Sequence, residues 1–330
     1  MIRLSGAILL CACLVSNAIA SAAADRIVER NEAMFHMDEI VLRSGKKLPY
    51  YRTHSILQKN QSINTVLIII PGGESNGPGY FAAGVDAARN AGRLGTTAVI
   101  TPQFQRAKQN PRRDELYWTG RWQQGANSLD GSRTSSFTVL DEILELAVGN
   151  FPNAGRIFLA GHSSGGQIIN RYVAVGGAVS DHRAIRFVVM NPSSYLYVDD
   201  RRVQKDGSYA PPSNAAKKCP KYNHWKYGLV GLPPYAAEMS VDEIRSRMFR
   251  RRTVFLAGGA DTKKGKSVDD RCPALYQGKN RLQRTQNYWG YVQTFSEWKG
   301  NASLEIVPGV GHAGAKMIRS SEFRDIVFKN

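Results

Sequence analysis

The sequence has few cysteines, few acidic residues relative to its basic ones, and no apolar stretch long enough to span a membrane. Its 330 residues include four Cys, with no CxxC pair and no His and Cys cluster, which argues against a zinc site. Hydrophobic residues make up 42% and charged residues 22%, a balance typical of a globular protein and not of a disordered one. No internal repeat or low-complexity tract is present, so fibrous and coiled-coil proteins are excluded.

One apolar stretch, at the N-terminus, has the pattern of a secretory signal peptide. Arg3 provides the positive charge before the apolar segment, and small residues at 18–20 or 22–24 provide a cleavage site. A membrane anchor needs about 20 uninterrupted apolar residues, and Ser16 interrupts this run too early. We therefore predict a signal peptide over residues 1–24 and a secreted or periplasmic mature chain with no stable membrane anchor.

Export changes the interpretation of the cysteines. Cys11 and Cys13 would leave with the signal peptide, so the mature chain keeps only Cys219 and Cys272. In an oxidising compartment two thiols are more often paired than reactive, which predicts a disulfide between Cys219 and Cys272. Two unpaired structural cysteines are the alternative.

Short, nearly continuous apolar runs alternate along the chain with stretches of helical period. The runs are typical of strands buried on both faces of a mostly parallel sheet, and they cover residues 65–70, 97–101, 156–160, 185–190, 253–257 and 304–307. Helices are predicted over residues 80–92, 135–148, 165–175, 241–249, 279–298 and 313–329. The alternation predicts an α/β fold, a three-layer sandwich in which helices flank a mostly parallel sheet.

Two segments depart from this alternation. Residues 40–43 and 50–54 flank a Ser-Gly-Lys-Lys turn and predict an antiparallel hairpin at the edge of the sheet. Residues 194–240 are rich in Tyr, Pro, Asp, Lys and Gly, and a long irregular connection inside a compact domain is usually functional. We predict one domain over residues 25–330, with residues 194–240 inserted as a cap over a site.

The pentapeptide Gly161-His162-Ser163-Ser164-Gly165 follows a predicted strand and opens a predicted helix. This is the G-x-S-x-G nucleophile elbow in its expected context. The central serine, Ser163, occupies a strained turn, and the two glycines prevent side-chain clashes with neighbouring backbone. The alternative is an ordinary glycine-rich turn.

With this motif the chain resembles the α/β-hydrolases, over roughly residues 60–330. In that fold the catalytic triad arrives in the order Ser, then Asp or Glu, then His. The resemblance implies a carboxylate after a late buried strand, and Asp261 holds that position behind a glycine turn. Four other aspartates, in the same loop or after the preceding strand, are the alternatives: Asp269, Asp270, Asp199 and Asp200.

The resemblance also implies a histidine between the last strand and the last helix. His312 has this position, with glycines on both sides. His162 adjoins the serine, and its side chain is predicted to pack beneath the elbow. The remaining histidines are poorly placed, either before the first buried strand or in connections: His36, His54, His182 and His224.

These residues together imply acyl-transfer chemistry that needs no metal and no other cofactor. His312 would accept the Ser163 proton while Asp261 holds the imidazole in the required tautomer. Backbone N–H groups of Ser164 and Gly73 are the candidates for the oxyanion hole, since that fold takes one donor after the nucleophile and one after the first buried strand.

The excess of positive charge, +17 in total, is concentrated in two segments. Residues 201–226 hold seven Lys and Arg against one Asp, and residues 261–284 hold seven against three Asp. A Cys219–Cys272 disulfide would join the two segments and fix the cap beside the site, leaving a basic rim that attracts anionic substrates. The alternative is a charge that only maintains solubility. Nucleic-acid binding is disfavoured because the basic stretches contain no recognition motif.

The function that these observations favour is an exported serine hydrolase acting on carboxylic esters. An amidase, a peptidase or an acyltransferase with the same triad is the alternative, and a non-catalytic binding protein of this fold is less favoured. The substrate would be a small or oligomeric acyl compound, including anionic ones. Aromatic residues are candidates for its pocket walls, after the second buried strand and in the cap: Phe104, Tyr117, Trp118, Trp122, Tyr195, Tyr197, Tyr222, Trp225 and Tyr227.

Overall fold

The computed structural model describes residues 36–73, 76–263, 265 and 268–329. The predicted signal peptide, residues 1–24, lies outside the described residues, as does the predicted start of the domain at residue 25. Apart from His36 and Met37, the described residues belong to one compact unit.

A central sheet organises this unit. Within the described ranges the strands are β1 (His36–Val41), β2 (Lys47–Arg52), β3 (Thr65–Ile70), β4 (Thr97–Pro102), β5 (Arg156–His162), β6 (Ile185–Met190), β7 (Arg202–Val203), β8 (Tyr209–Ala210), β9 (Thr253–Gly258) and β10 (Ala302–Val307). Eight of them form one sheet in the order β1-β2-β4-β3-β5-β6-β9-β10. Neighbouring strands run parallel from β4 to β10, and β2 pairs antiparallel with β4. The β3 and β4 strands are buried at every residue, which explains their continuous apolar sequences.

Helices flank the sheet, which confirms the predicted α/β arrangement. In the described part of the chain they are α1 (Gly77–Asn90), α2 (Ser136–Asn150), α3 (Ser164–Val175), α4 (Ala215–Lys218), α5 (Val241–Arg250), α6 (Cys272–Leu275), α7 (Arg281–Val292), α8 (Ser296–Lys299), α9 (Gly314–Arg319) and α10 (Ser321–Phe328). Several of these helices are preceded by an N-cap residue whose side chain accepts a hydrogen bond from a backbone N–H of the first turn. These residues are Asn76, Ser135, Ser240, Asn280 and Ser320. Ser163 makes no such bond before α3, so its hydroxyl is left for other contacts.

Two of the predicted helices are divided in the structure. The helix predicted over residues 279–298 ends at Val292, and α8 follows after a turn. The helix predicted over residues 313–329 is broken at Ser320, whose Oγ donates to Met317 O and accepts from Phe323 N at the start of α10. None of the helices in the described ranges is both long and apolar enough to cross a bilayer.

A disulfide and hydrogen bonds join the irregular segment at residues 194–240 to the segment that follows β9. Cys219 and Cys272 form a disulfide, which confirms the predicted pairing. The side chain of Gln277 accepts from Tyr195 N and donates to Tyr195 O, at 2.8 Å in both cases. Residues 195–198 are buried in the hydrophobic core, so this segment begins as part of the core.

Candidate active site

The turn between β5 and α3 places Ser163 in a strained conformation, with φ +59° and ψ −113°. Such a conformation costs a non-glycine residue about 1–3 kcal/mol and persists only where the surrounding packing enforces it. The flanking glycines allow neighbouring backbone to pack closely around this turn. A Cβ on Gly161 would lie 2.4 Å from the carbonyl of Gly165, and a Cβ on Gly165 would lie 2.1 Å from the Ile70 carbonyl oxygen.

The structure brings Ser163, His312 and Asp261 together across three separate loops. His312 Nε2 lies 3.0 Å from Ser163 Oγ, and His312 Nδ1 lies 2.9 Å from Asp261 Oδ2. Asp261 follows β9 and His312 follows β10, and these neighbouring parallel strands deliver both side chains to the edge of the sheet where β5 ends in the elbow. The alignment forms a continuous hydrogen-bonded line from carboxylate through imidazole to hydroxyl.

The alternative carboxylates have other partners. Asp269 forms ion pairs with Lys226 and Arg271, each at 2.8 Å. Asp199 forms an ion pair with Arg201 and accepts its backbone N–H. The described contacts of His312 therefore single out Asp261 among the candidates.

Asp261 is buried, with 2% of its surface exposed, and it is held by more than the histidine. Asn191, at the end of β6, donates Nδ2 to Asp261 Oδ2 at 2.7 Å, and Arg281 Nη1 lies 3.6 Å from Asp261 Oδ1. Burial by itself would raise the pKa of Asp261. The hydrogen bonds from His312 and Asn191 and the charge of Arg281 outweigh that effect, so the pKa is lowered and the carboxylate is ionised at neutral pH.

A second histidine packs against the imidazole of His312, and a tyrosine forms a hydrogen bond with that second histidine. The His162 ring lies 4.5 Å from the His312 ring between centroids, and His162 Nδ1 forms a 2.7 Å hydrogen bond with the Tyr80 hydroxyl. Burial, and then the neighbouring His312, lower the pKa of His162 well below its ordinary value, so this ring is neutral. Burial also raises the pKa of Tyr80 to about 12, so the phenol keeps its proton.

The cavity around Ser163 has a volume of about 320 Å³. It is lined by residues from the loop after β3, from α1, from the elbow and from the loop after β10: Gly72, Gly73, Asn76, Tyr80, His162, Ser163, Ser164, His312 and Gly314. Both predicted oxyanion-hole residues, Gly73 and Ser164, belong to this set. Because α3 begins at Ser164, the N–H of that residue has no partner four residues earlier within the helix, and the positive end of the helix dipole faces the cavity.

The structure places the first group of candidate pocket aromatics elsewhere. Phe104, Trp118 and Trp122 are almost fully buried in the hydrophobic core, where Phe104 stacks on Trp122 with 5.0 Å between ring centroids. They do not belong to the described lining of the Ser163 cavity. Their large apolar rings fill the interior, so the interpretation as walls of that cavity is wrong for these three residues.

The segment at residues 194–240 contacts the helix that carries the elbow. Arg171 of α3 is fully buried, and it donates to Lys226 O and to Ser194 Oγ. Lys226 Nζ lies 3.4 Å from the side-chain oxygen of Gln167, one turn after Ser163. These contacts attach the segment behind the nucleophile, and its role as a cap over the site stays a prediction.

Comparisons with known proteins identify the fold. No family model matches the chain, and no curated protein matches it. LpqC, a poly(3-hydroxybutyrate) depolymerase from Bordetella parapertussis, matches with a TM-score of 0.63 and 17% identity, over 89% of this chain and 90% of the other. Poly(aspartic acid) hydrolase-1 from Sphingomonas sp. KT-1 matches with a TM-score of 0.62 and 19% identity, over 89% of this chain and 98% of the other. At these identities the similarity is one of fold.

Proposed function

Since the chain has the α/β-hydrolase fold, we propose that it is an exported serine hydrolase that cleaves carboxylic esters through an acyl-enzyme intermediate. The observation that carries the proposal is the hydrogen-bonded line from Asp261 through His312 to Ser163, which ends in a cavity. The Cys219–Cys272 disulfide supports export, because disulfides persist in oxidising compartments.

In the proposed mechanism, His312 Nε2 takes the proton of Ser163 as Oγ attacks the carbonyl carbon of the ester. The oxyanion that forms accepts hydrogen bonds from the backbone N–H groups of Ser164 and Gly73. His312 then protonates the leaving alcohol, and the acyl group remains on Ser163. Water, deprotonated by His312, attacks the acyl-enzyme in the same way and releases the acid. Asp261 stays ionised throughout and stabilises the imidazolium.

Ester and amide substrates separate the favoured function from its alternatives. We expect hydrolysis of p-nitrophenyl esters with kcat/KM at least about 100-fold above that of the matched anilides, because the aniline of an anilide is a poorer leaving group than p-nitrophenolate. The same preparations are treated with a fluorophosphonate probe, which reports an activated serine independently of substrate choice. Labelling with a preference for anilides would favour an amidase or peptidase, and transfer of the acyl group to an added alcohol would favour an acyltransferase. Absence of labelling would favour a binding protein.

We further propose that the substrates include anionic or oligomeric acyl compounds. The exposed Lys217, Lys218 and Lys221 lie beside Cys219, in the middle of the segment at residues 194–240, and the disulfide joins them to the start of α6, where Arg271 is also exposed. LpqC and poly(aspartic acid) hydrolase-1 are, by name, enzymes acting on polymers, and poly(aspartic acid) is anionic. Attraction between a basic rim and such a substrate would raise the rate of association at low salt.

The salt dependence of kcat/KM tests the role of this charge. Between about 20 and 500 mM salt we expect kcat/KM to fall several-fold for a carboxylate-bearing ester and to stay constant for the matched neutral ester. The double variant Lys217→Gln/Lys218→Gln should lose part of that salt dependence, whereas the control Lys59→Gln/Lys299→Gln should keep it. Equal salt effects on both esters would leave the charge with a solubility role only.

A further inference from the structure

We propose that Arg281, the first residue of α7, is a positioning residue that fixes the Asp261 carboxylate and, through it, the orientation of the His312 ring toward Ser163. This inference rests on the proposed function, since it assigns a role within the same triad. The sequence contains no motif that marks Arg281, and its assignment comes from the contacts around Asp261.

The two oxygens of the Asp261 carboxylate have different partners. Oδ2 accepts from His312 Nδ1 at 2.9 Å and from Asn191 Nδ2 at 2.7 Å. Arg281 Nη1 lies 3.6 Å from the other oxygen, Oδ1, and both side chains are only 2% exposed. The guanidinium therefore holds the side of the carboxylate that faces away from the imidazole, so rotation of the carboxylate away from His312 would break this ion pair.

The backbone of α7 is fixed to the same residue. Leu282 N donates to the backbone carbonyl of Asp261 at 3.2 Å, and Asn280 caps the helix by accepting from Gln283 N. The N-terminal turn of α7 therefore contacts Asp261 through both backbone and side chain, and the positive end of its dipole lies on the side of the carboxylate. Asp261 thus has a fixed position between the loop after β9 and the start of this helix.

The test is the separate measurement of kcat and KM for a neutral p-nitrophenyl ester at a temperature where every variant is folded. In R281Q we expect kcat to fall by about 10- to 100-fold, because a carboxylate that is free to rotate no longer holds the His312 ring toward Ser163. KM should stay within about twofold of the wild type, since Arg281 is not in the described lining of the Ser163 cavity. R281K keeps the charge beside the carboxylate and should lose only several-fold in kcat.

R284Q is the matched control. Arg284 is a fully buried arginine one turn further along α7, and it donates to the carbonyls of Gly278 and Ser193 rather than to Asp261. R284Q should lower thermal stability and leave kcat of the folded enzyme within about threefold of the wild type. A folded R281Q enzyme with the kcat of the wild type would overturn the inference, since a merely structural role lowers thermal stability and not the turnover of the folded enzyme. If R281Q does not fold, R281K with lowered thermal stability and the kcat of the wild type would overturn it as well.

Labelling and turnover of the wild-type protein distinguish failure of the proposed function from failure of the role of Arg281. Wild-type protein that neither reacts with a fluorophosphonate nor hydrolyses esters would overturn the proposed function and this role of Arg281 together. Wild-type protein that is labelled and active, with an unchanged kcat in the folded Arg281 variants, would overturn only the role of Arg281.

Discussion

Ser163→Ala is expected to lower kcat for ester hydrolysis by about 10⁴- to 10⁶-fold and to abolish labelling by a fluorophosphonate. The expected loss is large because the hydrogen bond of His312 reaches the hydroxyl of Ser163, not that of the adjacent Ser164. Without Oγ the imidazole has no nucleophile to activate, and only the oxyanion hole and substrate binding contribute residual catalysis. Hydrolysis of a p-nitrophenyl ester and mass spectrometry of the probe-treated protein measure the two effects.

Ser303→Ala, an exposed serine on β10, is the matched control and should be labelled and active like the wild type. Ser163→Gly should be equally inactive but more thermostable than Ser163→Ala, because glycine adopts a φ of +59° without the strain that a Cβ imposes. Persistent labelling of Ser163→Ala would place the nucleophile elsewhere, and the triad proposal would have to be abandoned.

The sheet was predictable from the sequence because buried parallel strands leave a simple pattern. Continuous apolar runs predicted β3 and β6 with their observed bounds, and the other core strands to within two residues at each end. Helix ends were less predictable. The break at Ser320 depends on whether one serine side chain bonds to the backbone before it and after it, and helical periodicity carries no information about that choice.

For the candidate site, the sequence predicted the three residues of the triad but not the residues that contact them. The elbow motif and the order of the strands predicted which serine, aspartate and histidine meet. Asn191 and Arg281, which contact Asp261, and Tyr80, which contacts His162, had no comparable signal, since each comes from an element distant in sequence and belongs to no motif. Their roles depend on side-chain direction within a packed interior, which only the three-dimensional structure provides.

The elbow also predicts the largest effect on stability, for the variant Gly165→Ala. A Cβ at this position would lie 2.1 Å from the carbonyl oxygen of Ile70 and 2.8 Å from that of Pro71. Backbone atoms cannot rotate away as the end of a side chain can, so the elbow and the end of β3 must separate. We expect a loss of about 3 kcal/mol or more in the free energy of unfolding, which corresponds to a fall in Tm of about 6–12 °C.

Activity should fall with stability in Gly165→Ala, because the displaced residues lead directly into the loop that holds Gly73. Gly149→Ala is the matched control. Gly149 is an exposed residue in α2, nothing lies within 4 Å of its added Cβ, and alanine there should raise stability by about 0.5–1 kcal/mol. Thermal unfolding of both variants, followed by ester hydrolysis at a temperature where each is folded, separates the two effects. If Gly165→Ala kept the Tm and the turnover of the wild type, β3 and α3 would not be in close contact, and the oxyanion hole assigned to that contact would have no structural basis.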